Sequence, residues 1–179
     1  MLQTSNSVLV LIDVQGKLTQ VMHNRDALVL NLQKIVKGAM ALEVPVLWLE
    51  QNPDRMGETI PELRELLAGQ KPIPKMNFSC CGEPVFVENL EALARRQILL
   101  AGIEAHVCVY QTAADLLHRG FEVQVVADAI SSRREPDKTV GVERCRAAGA
   151  AVTCVEMALF ELMRSAKHPA FKEILKIVR

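Results

Sequence analysis

The chain has 179 residues, half of them hydrophobic and only 4% aromatic, with 21 Lys+Arg balancing 21 Asp+Glu. That length bounds a single domain over 1–179 with a mainly aliphatic core, as in buried parallel sheets. Zero net charge gives no support to a basic nucleic-acid groove or an acidic tail, and no apolar run approaches membrane-spanning length.

Val8-Leu9-Val10-Leu11-Ile12 reads as a strand buried on both faces, stopping at Asp13. Asn24 is the expected cap of a helix whose stripe is Leu28, Leu32, Ile35 and Ala39. A second strand, Val46-Leu47-Trp48-Leu49, runs into Glu50-Gln51-Asn52-Pro53. Residues 54–82 are the least regular: Thr59 is the expected cap of a short helix near Pro61, and a third strand is expected near 73–76. Phe86, Leu90 and Leu93 mark the next helix, and Gln97 to Ala101 the strand after it. Five residues after Gly102 bring the chain to Cys108, which is read as opening a helix that ends near Gly120. Val123 to Ala127 is a fifth strand, followed by a polar loop over 128–136 and a helix over about 137–148. Ala151 to Val155 is a sixth strand, and two helices close the chain, the last with Phe171, Ile174, Leu175 and Val178 on one face. Strands alternating with helices at this spacing predict a three-layer α/β/α fold around a doubly wound, six-stranded parallel sheet.

Several sites are absent from the pattern. Strand one is followed by Asp13-Val14-Gln15-Gly16-Lys17, which is neither a dinucleotide fingerprint nor a P-loop. His23, His106, His118 and His168 are isolated, without metal-ligand spacing, and there is no G-x-S-x-G elbow. Five cysteines without a C-x-x-C pair predict a reducing, cytoplasmic setting, and Met1 to Ser7 does not read as an export signal. What remains is polar groups at strand ends: Asp13, Gln51, Lys75 and Cys108. The carboxyl ends of parallel strands open on one edge, where α/β folds place their chemistry, so these groups can converge. Each also has a plain reading: Asp13 as a loop hydrogen-bonder, Lys75 as a solvated charge, Cys108 as packing.

Leu11-Ile12-Asp13-Val14-Gln15, Pro74-Lys75-Met76-Asn77-Phe78-Ser79, Gly102-Ile103-Glu104-Ala105-His106-Val107-Cys108-Val109 and Val126-Ala127-Asp128-Ala129-Ile130-Ser131-Ser132 together resemble the isochorismatase-like cysteine hydrolase superfamily, from about Ser7 to Met163. The resemblance implies an Asp-Lys-Cys triad, carried here by Asp13, Lys75 and Cys108. It also implies a cis peptide between Ile103 and Glu104 that aims the Glu104 and Cys108 N–H groups at an oxyanion. The stretch Gln51 to Leu63 looks like the branch of uncharacterised isochorismatase domain-containing proteins. Nicotinamidases carry an Asp-x-His and a further His for a metal, which do not stand here, so no metal and no cofactor are expected. Isochorismatase itself lacks the nucleophilic cysteine, which argues against its enol-ether reaction.

The expected chemistry is hydrolysis of a small amide-like substrate through a Cys108 acyl-enzyme, with Asp13 as general base and then acid. Lys75 and the helix end are expected to lower the Cys108 pKa, while Asp13 opposes them; a neutral thiol bonded to Asp13 is the variant. Gln15, Leu18, Gln51, Phe78 and His106 are the expected substrate contacts. Two alternatives stay open: a catalytically silent scaffold, and a thiol redox sensor with Cys80 and Cys81 as resolving thiols. Neutral charge and the apolar face of the last helix predict a homo-oligomer, with neither nucleic acid nor membrane as partner.

Overall fold

The computed structural model describes residues 1–179. Its strands are β1 (Ser7–Ile12), β2 (Val46–Gln51), β3 (Ile73–Lys75), β4 (Gln97–Ile103), β5 (Glu122–Ser131) and β6 (Ala151–Thr153). All pair in parallel, in the order β3-β2-β1-β4-β5-β6. The chain winds outward from β1 to β3, then crosses back to β4 beside β1. That crossing is the switch point at which open α/β sheets form their crevice.

Nine helices surround the sheet: α1 (Gly16–Gln20), α2 (Arg25–Ala41), α3 (Pro53–Met56), α4 (Pro61–Arg64), α5 (Pro84–Ala92), α6 (Tyr110–His118), α7 (Glu135–Ala147), α8 (Val155–Met163) and α9 (Phe171–Val178). Strand alternation divides the core. Leu9, Leu11, Trp48 and Leu99 face α2, α8 and α9 through Leu32, Ile35, Leu159 and Ile174. Val8, Val10, Ile12 and Leu100 face α5, α6 and α7 through Phe86, Leu90, Leu116 and Cys145. β1 and β4 are buried at every position, which is why they read as unbroken apolar runs.

At Gly102 in β4 φ is +118°, and an added Cβ would lie 2.1 Å from the Ile12 carbonyl oxygen of β1. A side chain there is excluded by both backbone and space.

Four local expectations are corrected. Asn24 precedes α2 in a left-handed conformation, but its side chain makes no cap bond. Thr59 does not cap α4; its N–H and hydroxyl donate to the Glu50 carboxylate instead. The polar stretch after Ala127 is not yet loop, because β5 continues to Ser131. The stripe on α9 is not spare surface: Ile174 is fully buried, and Phe171 and Val178 pack on the same core. No helix is long and apolar enough to cross a membrane.

Candidate active site

Lys75 ends β3, yet its side chain is fully buried. A buried ammonium costs several kcal/mol unless its charge and donors are matched. Here Nζ lies 2.8 Å from Asp13 Oδ2 and donates to Gln51 Oε1 at 2.5 Å, Asn77 O at 3.0 Å and Phe78 O at 3.1 Å. The side chain thus reaches past the end of β2 to the end of β1. Cys108 Sγ stands 3.7 Å from the same nitrogen. Asp13, Lys75 and Cys108, drawn from three strand ends, converge at the switch point.

Asp13 has φ 54°, in the left-handed region that a non-glycine residue adopts only where its surroundings hold it. Its N–H donates to the Leu49 carbonyl at 3.1 Å, tying it to β2. Burial raises its carboxyl pKa, outweighing the opposing pull of the Lys75 charge. Oδ1 is buried without a partner. The carboxylate therefore retains an acceptor and an enhanced appetite for a proton.

The expected lowering of the Cys108 pKa is overturned. Burial pushes the thiol up to about 12, the Asp13 charge adds to the rise, and Lys75 only partly offsets them. The Lys75 charge is already matched by Asp13 and three oxygen acceptors, so little is left to favour a thiolate. Burial thus favours the neutral thiol beside Asp13.

Nor does Cys108 open its helix. A wide turn over Ala105–Val109 precedes α6, with the Glu104 carbonyl accepting from Val107 N–H at 3.1 Å and Val109 N–H at 3.2 Å. The Ile103–Glu104 peptide is cis. α7 presses on this turn through Gly141, where an added Cβ would come within 2.7 Å of the Ala105 carbonyl carbon and the His106 nitrogen. The Glu104 side chain turns away, its carboxylate taking the Arg133 N–H and Nε, each at 3.1 Å.

The expected substrate contacts divide. Gln15 is fully buried and its amide is consumed: Oε1 accepts from Gln51 N–H at 2.6 Å, and Nε2 donates to Gln51 O at 3.0 Å and Gly57 O at 2.6 Å. It braces β2, so its placement among substrate contacts is corrected. Gln51 is likewise engaged, with Oε1 on Lys75 and Nε2 donating to Met76 O. Leu18 is half-buried against the α2-side core. His106 Nδ1 lies 2.9 Å from Ser132 Oγ, fastening the cysteine turn to the end of β5. Phe78 is 55% exposed on the loop whose carbonyls hold Lys75.

Two positioning groups escaped the sequence reading. Thr112 Oγ1 accepts the Cys80 N–H at 3.0 Å, tying the loop after β3 to α6, and its signal is its place one turn beyond Cys108. Glu50 anchors Thr59, a contact that no local sequence signal announces. No group of three or more His, Cys, Asp or Glu side chains is placed to hold a metal ion.

Comparison with known proteins agrees with this architecture. The isochorismatase domain model matches residues 7–157. Isochorismatase domain-containing protein 2A of Mus musculus is 39% identical over 175 residues, 97% of this chain and 83% of the mouse protein. The structure described as MAR1 ribonuclease from Caenorhabditis elegans superposes with TM-score 0.93 at 36% identity, covering 99% of this chain and 91% of that one. YcaC of Escherichia coli, described as an octameric hydrolase of unknown specificity, shares the fold with TM-score 0.89 at 22% identity, over 98% and 94% of the two chains. Sequence and fold together make this chain a member of the isochorismatase family, whose proteins are generally hydrolases.

Proposed function

We propose that this protein is a cysteine hydrolase that cleaves the C–N bond of a small amide-like substrate. Cys108 is the nucleophile, Asp13 moves the proton, and Lys75 holds both in place. The observation that carries the reading is the Lys75 ammonium, fully buried between a carboxylate at 2.8 Å and a thiol at 3.7 Å.

Starting from the neutral thiol, the S–H proton passes to Asp13 as Sγ attacks the substrate carbonyl carbon. The Glu104 and Cys108 N–H groups receive the oxyanion, and such donors are typically worth about 3–4 kcal/mol in the transition state. Collapse breaks the C–N bond, and Asp13 returns the proton to the leaving nitrogen. A thioester remains on Cys108. Water then gives a proton to Asp13 and its oxygen to the acyl carbon, and the released thiolate recovers the proton. The raised carboxyl pKa of Asp13 suits both halves of this exchange.

The test is a screen of small amides, imides and carbamoyl compounds, with intact-mass detection of a Cys108 adduct. Turnover absent from Cys108→Ala and Asp13→Asn is expected; turnover surviving Cys108→Ala overturns the mechanism. The ribonuclease name of the nematode structure supplies a second reading. The neutral net charge, the 7% exposure of Cys108 and the exposed Met76 and Phe78 on the Lys75 loop favour a small neutral substrate over RNA. Labelled RNA cleaved by wild type and spared by Cys108→Ala would reverse that choice. A redox sensor has less support, because burial also raises the Cys80 pKa and lifts Cys81 to about 11, leaving no ready thiolate. We also infer a homo-oligomer, supported by exposed Met76, Phe78 and Val85 on one segment. Light scattering at tens of micromolar should report more than one chain per particle.

A further inference from the structure

Of the four oxygens around the Lys75 ammonium, two are carbonyls of the loop after β3, Asn77 O at 3.0 Å and Phe78 O at 3.1 Å. Met76, Asn77 and Phe78 are all exposed. Exposed loops are the more mobile parts of a fold, so carbonyls that must stay aimed at a buried charge need a fixed point of their own. Glu83 supplies it. Its half-buried side chain sits just before α5 and accepts three bonds on one oxygen: Oε1 takes Met76 N–H at 2.9 Å, Asn77 N–H at 3.1 Å and Asn77 Nδ2 at 2.9 Å. A polar side chain at this position commonly caps its own helix, and Glu83 makes no such bond.

The link to the site is direct, because Asn77 gives its N–H to Glu83 and its carbonyl to Lys75. Asn77 Nδ2 also reaches Gly82 O at 3.2 Å, and a Cβ at Gly82 would lie 2.7 Å from Asn77 Cβ and Cγ, so the turn closes on Glu83 only where residue 82 has no side chain. Burial pushes the Glu83 carboxyl up, but the bonds from Asn77 and Met76 outweigh it and hold the group below its ordinary value. We propose that Glu83 is a positioning residue for the candidate site: by fixing the Asn77 and Phe78 carbonyls it keeps the Lys75 ammonium seated between Asp13 and Cys108. That Lys75 serves a cysteine nucleophile rests on the hydrolase reading above; that Glu83 seats Lys75 does not.

Pulse acetylation of the full-length protein with sulfosuccinimidyl acetate, mapped by peptide mass, reads the seating directly, with exposed Lys71 as the internal reference. Lys75 is 1% exposed and is expected to stay unlabelled in wild type. In Glu83→Ala its labelling relative to Lys71 should rise by about 10- to 100-fold, since it proceeds through a local opening that the lost bonds no longer oppose. Glu83→Gln keeps an oxygen in the Oε1 position and should restore most of the protection. A carboxylate that only steadied the positive end of α5 would not be replaced by an amide, so this rescue separates positioning from helix stability. Gly82→Ala pushes on Asn77 without touching Glu83 and should also expose Lys75, so it stays decisive if Glu83→Ala does not fold. Unchanged protection in folded Glu83→Ala or in Gly82→Ala, or no rescue by Glu83→Gln, would overturn the proposal. Acrylamide addition to Cys108, followed in the same samples, should slow as Lys75 becomes exposed. Exposure of Lys75 with Cys108 reactivity unchanged would uphold the seating by Glu83 and remove the hydrolase reading instead.

Discussion

The two halves of the sheet edge build the site by different means. Over β3, β2 and β1 the work is done by side chains: a buried ion pair, with Gln51 bonded to the ammonium and Gln15 clamping the β2 backbone. Over β4 and β5 it is done by backbone: a cis peptide, a wide turn, and glycines at 102 and 141 that let neighbouring chains come close. The first half holds charge, which must be satisfied wherever it is buried. The second holds a neutral thiol, which needs only to be aimed. Charge substitutions should therefore be costly on one side, and small increases in volume on the other.

The largest effect is expected from Lys75→Met. It strands Asp13 in the interior, and removing one partner of a buried pair typically costs about 3–5 kcal/mol. Urea unfolding measures it, and a loss below about 1 kcal/mol would dissolve the contrast between the halves. Gly102→Ala comes next, at about 2–4 kcal/mol, because the new methyl meets the Ile12 backbone at a φ of +118°. Gly141→Ala should cost less stability but displace the cysteine turn. Misplacements near 1 Å lower rates by about 100-fold, so acyl-enzyme formation should fall far more than the melting temperature. Equal losses in both would make Gly141 a packing residue only.

A smaller effect comes from pH. Burial pushes the Cys108 thiol up to about 12 in the folded chain from an ordinary 9.0. Above pH 9 the unfolded chain releases a proton that the folded chain keeps. Stability should then fall with rising pH up to about 12, by at most about 1.4 kcal/mol per pH unit from this group. Urea midpoints at pH 8 to 10 should fall less steeply in Cys108→Ala. Iodoacetamide at neutral pH should label half-exposed Cys154 before Cys108; the reverse order would mean that a thiolate is present after all. Smallest is Arg133→Ala, expected to cost under about 1 kcal/mol, since the Arg133 side chain is 60% exposed in its pair with Glu104.

The sequence carried the strands that are buried on both faces. Val8 to Ile12 and Val46 to Leu49 have no polar interruption, and the structure pairs them in register. It misjudged β5 because Asp128 and Ser131 look like loop residues. Inside the fold they are satisfied: Asp128 Oδ1 takes the Val155 N–H, and Ser131 Oγ donates to His23 O. Asp13, Lys75 and Cys108 were legible as groups at the ends of parallel strands. The direction of the thiol pKa was not, because it turns on how deeply Sγ is buried and how fully the ammonium is matched. Those are distances, and a string of residues does not contain them. Gln15 was misplaced for a related reason: an amide near a site looks like a ligand contact until its own bonds are counted.

Gln15 also makes the site intolerant of one added charge. Its amide fits in one sense only, with the oxygen receiving Gln51 N–H and the nitrogen giving to two carbonyls. A carboxylate in that place would face both carbonyl oxygens and loosen the end of β2, although glutamate has almost the same shape. Gln15→Glu is the variant that introduces it, and an unchanged melting temperature would discount the clamp.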